Sequence, residues 1–513
     1  MVVKALLAHE LSGQRRRVEE SAPVDSAGRR SIYLASPFIL ETMRHPPFAA
    51  LLSVLLVAAC SRGPTYDLVI ANGRVMDPES GLDTVRNVGV RAGRIEAVSA
   101  SPLAGRRVID ATGLVVAPGF IDLHEHGQSD ESYAIMVRDG VTSAFELEVG
   151  TADVAAWYAA RTGGKAVNYG VSVGHIKARM QVLSDPGRGL LPAGVGGSGS
   201  ATESQLAEME AILRKGLDEG AVAVGFGSAY TPGATMGEIE RMFRVAAESN
   251  ASAHIHMRNG VAGLDSTIAA AANAHARLHI VHVNSSAGSD LPAFLTRIQA
   301  ARDGGEDVTT EAYPYGAGMT EIQSALFDDW RSWPDSQFAT VQLVSTGERL
   351  TRTTFGEARE KGGTVITHGR SEEQTRASIV SPLTMIASDG YIENGRGHPR
   401  TSGTYSKVLG KYVRDERALP LMEALRKMTL APAQRLEARV PAMAVKGRVR
   451  VGADADLTIF DPATVIDRST YEDATIPSGG IPYVVVLGEV VVDSARLTSA
   501  RPGRAIRAAV AAR

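Results

Sequence analysis

Short apolar runs with polar neighbours open the readable part of the chain. Asp67-Leu68-Val69-Ile70 leads into Asn72-Gly73, a pair that reads as a turn between two strands. Val88-Gly89-Val90, running to Gly93-Arg94-Ile95, has the same texture, and Val108-Ile109-Asp110 and Leu114-Val115-Val116 follow. That texture returns only near the far end: Asp456-Leu457-Thr458-Ile459-Phe460, then Val484-Val485-Val486-Leu487, a turn at Gly488-Glu489, and Val490-Val491-Val492. Between the two ends the pattern changes. Val171-Ser172-Val173, residues 221–226, Ala253-His254-Ile255-His256 and Leu278-His279-Ile280-Val281-His282 are compact apolar runs. Ala-, Glu- and Arg-rich helical stretches, such as 203–215 and 236–249, lie between them.

Strand–helix alternation over this length predicts an α/β fold, a TIM-like (β/α)8 barrel, with a small β-sandwich built from both chain ends. The expected parts are 65–117 for the N-terminal half of the sandwich, 118–445 for the barrel and 446–500 for the C-terminal half. The 513 residues are enough for two domains, and 44% hydrophobic with 22% charged residues is ordinary for a globular protein. A formal charge of −3 gives no reason to expect a nucleic-acid partner. Arg501, Arg504, Arg507 and Arg513 form a basic sprinkle, and 501–513 is expected to be a loose, solvated tail. The Gly-rich stretch 194–200 neither follows a strand nor carries the lysine of a phosphate-cradling loop, so it reads as a flexible loop.

The single cysteine, Cys60, cannot form an intrachain disulfide or a cysteine-rich zinc site. It closes the run Leu55-Leu56-Val57-Ala58-Ala59, within an apolar stretch at 48–59 that follows Met43-Arg44-His45. A charged start, a short apolar core and small residues before a cleavage point make a secretory signal, and a membrane span needs about 20 apolar residues. The segment resembles a bacterial lipoprotein signal with Cys60 as the lipidated residue. Residues 1–60 are then a leader, with translation starting at Met43 and 1–42 untranslated, and the mature protein sits in the cell envelope facing the periplasm. The alternative is a buried apolar helix in a cytoplasmic protein.

Candidate chemistry begins at Gly119-Phe120-Ile121-Asp122-Leu123-His124-Glu125-His126. Strand side chains alternate with period two, so His124 and His126 share a face and reach one metal ion from a strand end. Such pairs are often merely structural, but this one directly follows the β-rich region and a Pro-Gly turn. His256 and His282 each close a later apolar run, which is what a second metal position needs. His254, His275 and His279 read instead as packing or hydrogen-bonding residues, although His254 shares the face of His256. Ile386-Ala387-Ser388-Asp389-Gly390 offers an acid at a last barrel strand, and Asp389 there both touches a metal and takes a proton from water. In Thr142-Ser143-Ala144-Phe145-Glu146-Leu147-Glu148-Val149-Gly150, Glu146 and Glu148 take the face opposite Phe145, Leu147 and Val149. Two buried acids on one strand are costly unless cations or a metal accompany them. Glu148, nearer the strand's end, is the ligand, and Glu146 supports it.

At these residues the sequence resembles the N-acyl-D-amino-acid deacylase family of the amidohydrolase superfamily. The likeness runs through Pro118-Gly119-Phe120-Ile121-Asp122, Val173-Gly174-His175, Gly225-Phe226-Gly227-Ser228-Ala229-Tyr230, His256-Met257-Arg258 and Tyr313-Pro314-Tyr315. It continues in Ser388-Asp389-Gly390, His398-Pro399-Arg400, Gly403-Thr404-Tyr405, Lys427-Met428-Thr429 and Gly452-Ala453-Asp454-Ala455-Asp456-Leu457. Glu146 to Gly150 is similar to the D-glutamate deacylase subgroup. D-Aminoacylases place a bridging cysteine where Val149 stands, so Glu148 is inferred as the bridge from its neighbour, and a carboxylated Lys177 is the alternative. Those enzymes also carry a lysine where Asn284 stands, which sets this chain apart from them.

The resemblance implies hydrolysis of N-acyl-D-amino acids, N-acyl-D-glutamate among them, with one or two Zn2+ ions per subunit and Asp389 as the proton carrier. It makes Arg400 and Tyr313 or Tyr315 candidates for the substrate α-carboxylate, Arg258 a candidate for a side-chain carboxylate or a structural salt bridge, and His175 a substrate-orienting or core residue. The rival readings are a metallo-dipeptidase of the isoaspartyl or X-Pro kind and a non-catalytic barrel scaffold. The expected partner is a small acylated amino acid or dipeptide, with membrane contact only through a lipid at Cys60.

Overall fold

Both β-rich ends meet in one sheet of nine strands. In the computed structural model, which describes residues 65–510, the strands Tyr66–Asp77, Leu82–Arg91, Arg94–Ser99, Gly105–Asp110 and Val115–Pro118 come from the N-terminal side. Leu457–Phe460, Tyr483–Val486, Glu489–Asp493 and Arg496–Leu497 come from the C-terminal side. The join is the antiparallel pairing of Leu457–Phe460 with Val115–Pro118, in register from Leu457 opposite Pro118 to Phe460 opposite Val115. Leu68, Ile70, Val88, Val90, Ile95, Ile459 and Val485 fill its core. The hairpin turn expected before Arg94 is made by Ala92 and Gly93, both at positive φ (49° and 79°). Asn72-Gly73 is different. It is a bulge inside a single 12-residue strand, with the register to Leu82–Arg91 slipping between Ile70 and Gly73. A Cβ at Gly73 would lie 2.4 Å from Val116 Cγ2, so the glycine admits a neighbouring strand rather than a reversal.

Eight parallel strands form the barrel: Phe120–Asp122, Val141–Thr151, Asn168–Gly174, Val224–Gly227, Ser252–His256, Arg277–Ile280, Val308–Ala312 and Thr384–Ile386. Just beyond the last and first of these, Glu125 and Gly390 bridge in parallel, and Asp389 N–H donates to His124 O at 2.8 Å. The intervening helices start where the pattern predicts. Thr202 and Gln205 make a capping box for Glu203–Asp218, and Thr235 caps Met236–Glu248. A lobe at 317–368 interrupts the alternation before the last strand. Its antiparallel strands Ala317–Glu321, Val341–Leu343 and Thr364–His368 enclose Ile322, Phe327, Phe338, Phe355 and Val365.

Two further expectations are corrected. The stretch 194–200 is pinned: Asp185 accepts from Gly196 N–H, and the buried Arg179 donates to Gly196 O and Gly199 O. The basic tail is not loose as far as it is described. Gly503 bridges Lys165 and Ala505 bridges Tyr169. Tyr158 Oη donates to Ile506 O at 2.7 Å, and the Arg507 guanidinium stacks 3.8 Å above the Tyr158 ring. The basic residues carry apolar stems, and burial of Ile506 and Ala508 anchors the segment between them. Arg513, Cys60 and the proposed leader lie outside the described residues. Among the described residues, no helix is long and apolar enough to cross a membrane.

Candidate metal centre

The barrel's C-terminal mouth gathers four imidazoles and two carboxylates. His124 and His126 follow the first strand, where Glu125 N–H donates to Phe145 O and His126 N–H to Gly390 O. Glu146 and Glu148 share one face of Val141–Thr151 and are both buried. His256 is the last residue of its strand. His282 and Asp389 lie just past theirs in left-handed conformations, at φ 34° and 53°. Non-glycine residues held there cost of order 1–3 kcal/mol each and cluster at functional sites.

Glu148 is at the centre. Its Oε2 lies 2.7 Å from His124 Nε2, 3.5 Å from His282 Nε2 and 3.9 Å from His126 Nε2, while Oε1 lies 3.3 Å from His256 Nδ1. Two donor sets result: His124, His126, Glu148 and Asp389, and Glu148, His256 and His282, the ligand atoms of each lying within 4.8 Å of one another. Glu148 belongs to both. Lys177, the alternative bridge, instead donates to Gly189 O at 2.6 Å.

This donor arrangement fits a cation. His124 Nδ1 sits 2.6 Å from Glu311 Oε1, and His126 Nδ1 sits 2.6 Å from Glu146 Oε2. Carboxylates accept only, so each ring donates from Nδ1 and turns Nε2 inward, the atom available to a metal. Those two Nε2 atoms face each other at 3.1 Å. Although burial opposes it, the surrounding carboxylates raise the pKa of both rings, Asp389, Glu311 and Glu148 acting on His124 and Glu146 taking His126 to about 10. The pocket therefore favours positive charge, which a metal ion supplies as a proton does. His256 Nδ1 is buried without any hydrogen bond. The electrostatics agree. Burial pushes the Glu148 carboxyl up, but His124 and His256 outweigh it and hold it well below the usual range. Asp389 is treated likewise: Arg400 and His124 overcome burial and keep it ionised. Burial and the neighbouring His256 push His282 toward its neutral, ligating form.

Arg400 is fully buried, with Nη1 2.8 Å from Asp389 Oδ2 and its guanidinium 4.6 Å from the Tyr313 ring centroid. With His126, Glu148 and Asp389 it lines a narrow chamber walled by Val149, Leu190, Leu191, Tyr230 and Met319. Tyr313 Oη accepts from Arg370 at 2.8 and 3.0 Å. Three predicted substrate residues are elsewhere. His175 is bonded to Glu238 at 2.8 Å and stacks on Phe226, because the helix Met236–Glu248 delivers an acid to it. Arg258 donates to the backbone oxygens of Ala234 and Pro232. Tyr315 turns its hydroxyl to Asp467 at 3.2 Å, under Lys407.

Glu311 is the residue that sequence reasoning missed. Its carboxylate joins His124 Nδ1 to His279 Nε2, at 2.6 and 3.0 Å. Burial is opposed chiefly by His124, which lowers the Glu311 carboxyl to about 2. An acid inside the strand Thr309-Thr310-Glu311-Ala312 was the available signal. The lobe residues Met319, Thr320 and Glu321, which wall the chamber, were likewise unforeseen.

Comparison with known proteins follows the same lines. Models of the amidohydrolase family match residues 115–291 and 383–492. The chain is 32% identical over 489 residues to the N-acyl-D-glutamate deacylase of Alcaligenes xylosoxydans xylosoxydans, covering 86% of this chain and 96% of that one. It is 28% identical over 492 residues to the D-aminoacylase of the same organism, covering 86% and 97%. Among solved structures, the N-acyl-D-glutamate deacylase of Bordetella bronchiseptica, complexed with zinc and a phosphonate mimic of the tetrahedral intermediate, superposes with a TM-score of 0.75. It is 28% identical and covers 87% of this chain and 100% of that one. A D-aminoacylase studied for its binuclear metal centre gives a TM-score of 0.73 at 26% identity, covering 86% and 100%.

Proposed function

Because this chain belongs to the amidohydrolase family, we propose that it hydrolyses the amide bond of N-acyl-D-amino acids, releasing a carboxylate and a free D-amino acid. The observation that carries this reading is the Glu148 carboxylate shared between two histidine-containing donor sets, with Asp389 beside the buried Arg400. A relative solved with zinc and another studied for its binuclear metal centre support one or two zinc ions at His124, His126, Glu148, His256, His282 and Asp389. Zinc held by such ligands supplies a Lewis acid for the amide carbonyl and brings the pKa of its water to about 7. Asp389 takes a proton from the attacking water and returns it to the amine nitrogen as the C–N bond breaks. Arg400 clamps the substrate α-carboxylate, since its Nε and Nη2 have no protein partner and its planar fork matches a carboxylate. Tyr313 supports the guanidinium from below. Glu311 and Glu146 keep the protons of His124 and His126 on Nδ1, leaving Nε2 free to ligate.

The test is a panel of N-acetyl-D-amino acids, their L-enantiomers, and β-aspartyl and X-Pro dipeptides, run on enzyme of measured metal content. Turnover confined to acyl-D-amino acids is expected. Cleavage of the dipeptides alone would reassign the chain as a dipeptidase, and no turnover with metal bound would leave a scaffold. We also propose attachment to the envelope through a lipid on Cys60, supported by the apolar stretch at 48–59 ahead of it. Mass spectrometry of the mature N-terminus tests this; an intact Met1 would refute it.

A further inference from the structure

At the opposite end of the barrel from the metal centre lies a second built pocket. Arg277 opens its strand, Asp307 directly precedes Val308–Ala312, and Thr384 opens the last barrel strand, so all three stand at N-terminal strand ends. The helices Leu291–Asp303, Leu421–Met428 and Leu430–Glu437 add Arg302, Arg426 and Arg435. Together they line a pocket of about 230 Å3. Four of its residues are arginines and one, Asp307, is an acid.

The charges do not cancel. Arg426 is held by Glu423, through two contacts of 2.7 and 2.8 Å. Arg277 and Arg435 divide a single carboxylate: Arg277 Nε donates to Asp307 Oδ2 at 2.7 Å, and Arg435 Nη1 to Asp307 Oδ1. That leaves Arg277 Nη1 and Arg435 Nε and Nη2 buried without a protein partner. Arg302 adds a further cation at the exposed rim. Burial of Arg435, at 3% exposure, lowers its pKa to about 10, which marks a guanidinium whose charge is under-compensated. Buried cations short of partners are expensive, and planar guanidinium forks match the oxygens of phosphate.

We propose that this pocket binds a small multivalent oxyanion of the phosphate class, either free phosphate or the phosphate group of a small monoester. The flanking Pro382, Leu383, Met385 and Ala431 leave an apolar wall for a compact organic part.

The experiment is isothermal titration and thermal melting of the metal-loaded enzyme with inorganic phosphate, phenyl phosphate and, at matched ionic strength, chloride. Saturable binding with a rise in Tm is expected for either phosphate and not for chloride. Phenyl phosphate binding more tightly than inorganic phosphate identifies a monoester; the reverse identifies the free ion. Phosphate also binds metal ions, so Arg302→Glu is the deciding variant, because Arg302 is exposed, makes no ion pair among the described residues and is remote from the metal ligands. It should weaken binding about ten-fold or more through like-charge repulsion. Arg426→Gln, also on the rim, should weaken binding in the same direction. Absence of saturable binding, an equal response to chloride, or undiminished binding in Arg302→Glu would each overturn the proposal.

Discussion

Replacing Glu311 with glutamine changes one atom type and tests how the metal centre is set. In the native protein both carboxylate oxygens accept, Oε1 from His124 Nδ1–H at 2.6 Å and Oε2 from His279 Nε2–H at 3.0 Å. Glutamine keeps one acceptor and puts an amide N–H against the other ring. Either His279 gives up its proton, disturbing its 2.8 Å contact between Nδ1 and Thr309 Oγ1, or His124 moves its proton to Nε2. In the second case the nitrogen facing Glu148 and His126 can no longer ligate. A hydrogen bond to a charged group contributes about 1.5–3 kcal/mol, and at about 1.4 kcal/mol per decade this is roughly a 10–100-fold loss of affinity. Loss of comparable partners of metal-bound histidines falls in the same range, about 10–100-fold. Competition against a chelator of known affinity measures the metal dissociation constant, and melting of the metal-free proteins shows whether the fold is intact. The weakened position should be the one that uses His124. A Glu311→Gln protein that melts like the wild type and binds metal with unchanged affinity would refute the tautomer argument.

Asp389→Asn should retain substrate binding while kcat falls by about 10²–10⁴-fold, the usual contribution of a positioned proton carrier; steady-state kinetics at saturating metal decides it. Arg400→Lys loses the planar fork at a fully buried position, and kcat/KM for acyl-D-amino acids should fall by roughly 30-fold, about 2 kcal/mol. N-Acyl amines without a carboxylate should be indifferent to that change, and an equal loss for both substrates would show a general disruption instead. Asp139 links stability to pH. Burial raises its carboxyl to about 7 even though Ser406, Ser478 and Tyr405 donate to it. A raised carboxyl favours the folded state while protonated, so its stabilisation is complete below about pH 4 and is lost as the pH rises through 7, by up to about 4 kcal/mol. Urea unfolding across this window should show the decline in wild type and not in Asp139→Asn; parallel curves would refute it.

How much of this was legible in the chain follows from what each inference required. His124, His126, Glu146 and Glu148 could be placed because period two alone decides which strand face a side chain takes. Most barrel strands were visible as compact runs buried on both sides, but Val308–Ala312, with two threonines and a glutamate, was not. What needed a partner from a distant segment was not legible. His175 and His256 are both histidines at the ends of strands, yet Glu238 on a separate helix claims the first, whereas Tyr230 packs against the second and leaves its Nδ1 bare. Arg258 and Arg400 differ in the same way. A loop carbonyl at Ala234 takes one guanidinium, and the other is left against Asp389 with most of its donors unmatched. Asn72-Gly73 failed as a turn because the same dipeptide serves a bulge when the strand continues beyond it. Residue type therefore marks which side chains are capable of chemistry, and the contacts that neutralise most of them mark which are left to perform it. Glu311 fits neither class: it touches no substrate and is itself fully partnered, yet by fixing one proton on His124 it determines that the other nitrogen is available to a metal.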